Sequence, residues 1–142
     1  MKISELARQI GLQSSAIRYY EQIGLLPPPE RIGGQRRYDS SSLYRLAIIQ
    51  RACQLGFTLD EIRQLFFGFR PITRASQRWR ALSRKKLAEL DELMASIKSV
   101  RRLLLKMIRR CHCATLDQCG RGILVSGSFS PGRSSLPARL RR

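Results

Sequence analysis

At 142 residues, with 27 lysines and arginines against 10 acidic residues and a formal charge of +17, the chain has room for one modest core beneath a surface suited to a polyanion, most simply nucleic acid. No segment reaches the roughly 20 apolar residues of a spanning helix and the opening MKISELARQIGLQSS lacks the apolar run of a signal peptide, so a cytoplasmic protein off the membrane is expected. In that reducing compartment, clustered cysteines favour metal binding or redox sensing over structural disulfides.

Ile3, Leu6, Ala7 and Ile10 share one helical face, Gly11 breaks the pattern, and Ile17 and Tyr20 resume it after Ser14. That is helix, tight turn, helix, with the Ser14 hydroxyl expected to cap the second helix and its first residues facing outward. The prolines of PPPERIGGQRRYD end this helix. Gly33 and Gly34 then predict a hairpin turn, so Arg31-Ile32 and Arg36-Arg37-Tyr38 are expected to pair as a small basic wing.

A second helix pair follows. Leu43, Leu46, Ala47 and Ile49 form the apolar side of its first member, Gly56 breaks it, and Thr58-x-x-Glu61 predicts a capping box for its second. Cys53, in the apolar register beside Ala52, reads as a small core residue. From Arg74 to Arg110 neither proline nor glycine interrupts the chain, and Leu90, Ile97, Leu104 and Cys111 recur every seven residues, interleaved with Leu93, Val100 and Met107. This is a coiled-coil seam on a helix about 55 Å long, weakened at Ser83 and Lys86, and a second copy of the chain is its expected partner.

Next comes RRCHCATLDQCGR, which holds three of the four cysteines and the only histidine. Cys111, Cys113 and Cys119 can serve a metal, a cluster or a redox pair, and thiolates among Arg109, Arg110 and Arg121 would be activated for oxidation. His112 is a possible further ligand. The expected organisation is a mainly α chain: a winged helix-turn-helix head over 1–70, a dimerisation helix over 74–110, a cysteine-containing sensor loop over 111–124 and a disordered basic tail over 125–142.

A helix-turn-helix with a basic wing places its second helix in the major groove and its wing on flanking phosphates. Arg18 is the candidate base reader, because a guanidinium bonds a guanine edge bidentately. Tyr19, Arg36, Arg37 and Tyr38 are candidate phosphate contacts, and Ser14, Ser15 and Tyr20 complete the DNA-facing set. The helical head offers no paired carboxylates and no nucleophile with an ordered base, so an enzyme is not expected. The rival from another class is a non-specific nucleic-acid-binding protein, since net charge alone does not choose a sequence.

The segments ISELARQIGLQSSAIRYYEQIGLLPPP and GGQRRYDSSSLYRLAIIQRACQLGFTLDEI, followed by a long helix ending in cysteines, resemble the MerR family of bacterial transcription regulators across roughly residues 1 to 120. The resemblance implies a homodimer with antiparallel long helices, bound to a palindromic operator in promoter DNA. Such an activator bends and untwists DNA so that RNA polymerase can engage both promoter elements. It also implies signal input at the cysteines. Cys111 and Cys119 match the C-x7-C pair of the copper-responsive branch, and Ser76 falls where that branch carries serine, so a soft ion such as Cu(I) is the leading expectation. The rival is the iron–sulfur redox branch with C-x2-C-x-C-x5-C. There Cys111, Cys113 and Cys119 match the last three positions, but the first falls on Ile108, leaving a [2Fe-2S] cluster one ligand short unless His112 or an outside group serves.

Overall fold

Helix α1 (Ile3–Ile10) stops where Gly11 takes φ 71°, and α2 (Ser14–Gln22) starts three residues later. The structure, a computed structural model, describes residues 1–126, so the expected basic tail falls outside the described residues except for Val125 and Ser126. The capping role expected of Ser14 is not seen. Gln13 is the N-cap, without a side-chain bond, and Ser14 is already the first helical residue. The physical reason is that the Gln13 carbonyl itself accepts from the amides of Ala16 and Ile17, at 3.0 and 3.3 Å.

Strands β1 (Glu30–Ile32) and β2 (Gln35–Arg37) form the antiparallel wing, with Arg31 opposite Arg36. Gly33 and Gly34 have φ of 58° and 78°, the pair of left-handed conformations that a two-residue hairpin turn requires. Helix α3 (Ser40–Gln54) is capped by Asp39, which accepts from the Ser42 amide at 3.0 Å. Helix α4 (Leu59–Phe67) carries the expected box, Thr58 and Glu61 each accepting the other's amide.

The core joins Leu6, Ile17, Leu25, Leu26, Leu46, Ile49 and Ile62, all at most 1% exposed, with Tyr38 and Phe57 at its margin. Two expectations for α3 fail. Ala47 and Cys53 are exposed, because the buried stripe runs through Ser42, Leu46, Ile49 and Ala52, and each lies one residue past a buried position.

Helix α5 (Ala75–Arg110) runs unbroken for 36 residues, about 54 Å. The chain divides into two units, Met1–Ser83 and Arg84 onward, so the first turns of α5 belong to the head. There Leu82 is buried and Trp79 meets Phe57 edge to face at 5.9 Å. Arg78 donates to the carbonyls of Leu65 and Phe66 at the end of α4, and to those of Arg70 and Thr73 in the connection that follows. In the second unit the seam residues Leu90, Ile97, Leu104 and Met107 are 40 to 60% exposed. Such a row of apolar side chains along one helix is a face built to be covered.

The segment read as a loop over 111–124 contains a helix, α6 (Leu116–Val125). Thr115 caps it by accepting from the Gln118 amide at 3.1 Å, and the Gln118 side-chain oxygen accepts from the Ala114 amide at 3.1 Å. The overlooked signal is Thr115-x-x-Gln118, a variant of the capping box. Among the described residues no helix is long and apolar enough to cross a membrane.

Candidate functional site

Helix α2 presents Ser15, Arg18 and Tyr19 to solvent, with Ser14 and Tyr20 half-buried. The exposed three lie within five residues of each other along one side, the reach of a reading helix in a major groove. Tyr20 is held from below. Its ring packs on the core, and burial, together with a hydrogen bond to the Cys53 thiol, pushes its phenol above the ordinary value.

The wing contributes less freely than its sequence suggests. Arg36 pairs through Nε with Glu21 Oε2 at 3.5 Å, and Arg37 is half-buried. Tyr38 departs from the expectation of a phosphate contact. It lies past the end of β2, only 4% exposed, and its hydroxyl donates to Glu21 Oε1. Burial, then the Glu21 carboxylate, holds the Tyr38 phenol far above the ordinary tyrosine value. An aromatic ring whose one polar atom has an internal acceptor gains more from the core than from water. Glu21 makes a contact that sequence reasoning missed: from α2 it engages Arg36 in β2 and Tyr38 just past it, two positions apart, and so ties α2 to the wing. No spacing rule points to such a contact.

The second unit brings Cys111, Cys113 and Cys119 together. Their sulfurs all lie within 4.8 Å of one another. Cys111 continues directly from α5, its amide bonded to the Met107 carbonyl at 2.9 Å, while Cys119 lies in the first turn of α6, its amide bonded to the Thr115 carbonyl at 3.1 Å. Cys111 and Cys113 are exposed and Cys119 is half-buried. The Cys113 amide and then its thiol donate to Cys111, drawing the Cys111 thiol below its ordinary value, and the same neighbour pushes Cys113 up. His112, between two of the thiols in sequence, is not part of the sulfur group. Ser76 belongs to the head unit, in the first turn of α5.

This combination of a winged reading head, a long helix and a thiol cluster has known counterparts. Residues 1–68 match the family described as MerR HTH family regulatory protein, and residues 43–111 match that described as MerR, DNA binding. The HTH-type transcriptional regulator HmrR of Rhizobium leguminosarum bv. viciae is 35% identical over 119 residues, 84% of this chain and 92% of that protein. The chain belongs to the MerR family. Among other relatives of this MerR regulator is the heavy metal-dependent transcription regulator 2 of Rhizobium meliloti, 34% identical over 120 residues, covering 84% of this chain and 82% of that protein. The crystal structure of the transcription regulator PbrR691 from Ralstonia metallidurans CH34, in complex with lead(II), matches with a TM-score of 0.67 at 35% identity. It covers 81% of this chain and 90% of that one. The mainly helical fold with its two-stranded wing and long α5 is therefore that of a MerR-type, DNA-binding transcription regulator.

Proposed function

We propose that this MerR regulator is a homodimer that binds a palindromic operator in promoter DNA and activates transcription when a soft metal ion, Cu(I) foremost, is held at Cys111 and Cys119. The observation that carries the reading is the approach of the thiols to within 4.8 Å. Two sulfurs each about 2.3 Å from one ion are at most about 4.6 Å apart, so the pair fits a soft, low-coordinate ion with little movement. The cluster reading has less support. It needs four ligands, and Ile108 stands where the first would be, 74% exposed at the end of α5. The names of two relatives, one heavy metal-dependent and one holding lead(II), support a metal signal over a purely thiol-based redox one.

The exposed seam of α5 supports pairing with a second copy. Antiparallel pairing would set Ser76 of one copy beside the cysteine segment of the other. Arg18 would read a base edge, while Tyr19, Arg36 and Arg37 hold phosphates and fix the register. Bending and untwisting the promoter costs several kcal/mol, offset by those phosphate contacts, and brings both promoter elements within reach of RNA polymerase. Chemically, the ion would replace thiol protons with a bond that joins the end of α5 to the start of α6.

The test is Cys119→Ser in a transcription assay on a footprinted promoter, with and without Cu(I). The variant should protect the same palindrome and give no Cu(I) response. Full induction of the variant would remove Cys119 from the sensor, and even protection of any DNA would return the protein to the non-specific class.

A further inference from the structure

We propose that Cys113 is a third metal ligand and a specificity-determining residue: the site is a three-sulfur cradle within one chain that also takes thiophilic ions requiring three sulfurs, Pb(II) among them. The inference rests on the reading of Cys111 and Cys119 as a metal pair and deepens it.

Three observations carry it. First, the Cys113 sulfur belongs to the same group as the other two, all three lying within 4.8 Å of one another. Three sulfurs about 2.3 Å from a central ion stand about 4 Å apart in a plane, and a larger ion tolerates a wider triangle, so one ion can touch all three after a small contraction. Second, the backbone fixes the triangle without help from outside the segment. Cys111 is tied to the last turn of α5 through Met107, and Cys119 to the first turn of α6 through Thr115. Gln118, whose amide donates to Thr115 and whose side-chain oxygen accepts from the Ala114 amide, clamps the turn immediately after Cys113. Third, Cys111 and Cys113 are exposed, so an ion can enter without opening a core.

The consequence is one of ion choice. Two thiolates satisfy a monovalent ion that accepts linear coordination and leave a divalent ion short of ligands. A third thiolate supplies both the extra bond and the extra negative charge that a divalent soft ion needs. Arg109, Arg110 and Arg121 flank the segment in sequence and add positive charge against three thiolates at one point. A Cys113→Ser chain would keep the monovalent site and lose the divalent one.

The experiment uses the full chain purified under anaerobic, reducing conditions, as wild type, Cys113→Ser and Cys119→Ser, each titrated separately with Cu(I) and with Pb(II). The readouts are sulfur-to-lead charge-transfer absorption and the number of sulfur neighbours from X-ray absorption. Wild type should show three sulfurs around Pb(II) and two around Cu(I). Cys113→Ser should show two around Cu(I) and lose the Pb(II) absorption, its Pb(II) affinity falling by more than about tenfold, while operator binding is unchanged. Two sulfurs around Pb(II) in wild type, or Pb(II) binding unaltered in Cys113→Ser, would overturn the role of Cys113 and leave the Cys111–Cys119 pair standing. Absence of binding of either ion to wild type would overturn the pair and the third ligand together.

Discussion

Tyr38 shows how one side chain can be assigned to the wrong task by its neighbours in sequence. It follows two arginines in a wing, the setting of a phosphate contact, yet the ring is buried and its hydroxyl has an internal partner in Glu21. Removing that hydroxyl leaves a carboxylate oxygen without its donor, so Tyr38→Phe should lower stability by about 1–3 kcal/mol, read as a falling melting temperature. An unchanged melt with weakened DNA binding would restore the phosphate contact. Arg18 and Tyr19, by contrast, are where the 3.6-residue period of α2 puts them, in solvent. Periodicity decides which face is buried; it does not reveal which residue before or after a strand turns inward. Cys53 fell to the same limit, one residue beyond the last buried position of α3.

Among the elements, those announced by local chemistry were legible. Gly11 and Gly56 take positive φ where the helices break, Gly33-Gly34 makes the wing turn, and the Thr58–Glu61 box opens α4. Each is a short-range device whose residues must lie at fixed spacing. Helix α6 was not legible from the cysteine spacing that defined its segment, whereas the cap bond between Thr115 and the Gln118 amide is what starts it, despite two glycines of low helix propensity within its ten residues. The seven-residue repeat of α5 was legible too, and its exposure along the second unit gives it an energetic meaning. Burying a Leu or Ile side chain is worth about 1.5–3 kcal/mol, so a charge in the seam costs at least as much for each copy. Ile97→Asp should therefore turn the proposed dimer into a monomer by light scattering and weaken operator binding by more than tenfold, since both half-sites are no longer held together. A dimer of unchanged affinity would place the interface elsewhere.

For the whole molecule, a charge of +17 overstates the surface given to DNA. Arg45 donates to the Leu25 carbonyl at 2.6 Å and stacks on Phe66, Arg63 donates to the Ile23 carbonyl, and Arg78 serves four carbonyls around the end of α4. These guanidiniums act as internal ties between elements. Two substitutions of equal charge should consequently behave differently. Arg37→Ala should reduce the slope of log affinity against log salt by about one, and Arg78→Ala should leave the slope intact while lowering the melting temperature. Equal slopes for both would remove Arg37 from the phosphate contacts.

Glu21 has one more consequence. A single carboxylate on α2 engages both Arg36 of the wing and Tyr38 just past it, so helix and wing are tied at one point. On the proposed function, the two would engage DNA together, as one jaw. In the proposed dimer, twist would then enter the promoter by re-aiming one jaw against the other, which places the adjustable joint between copies, downstream of the reading surface.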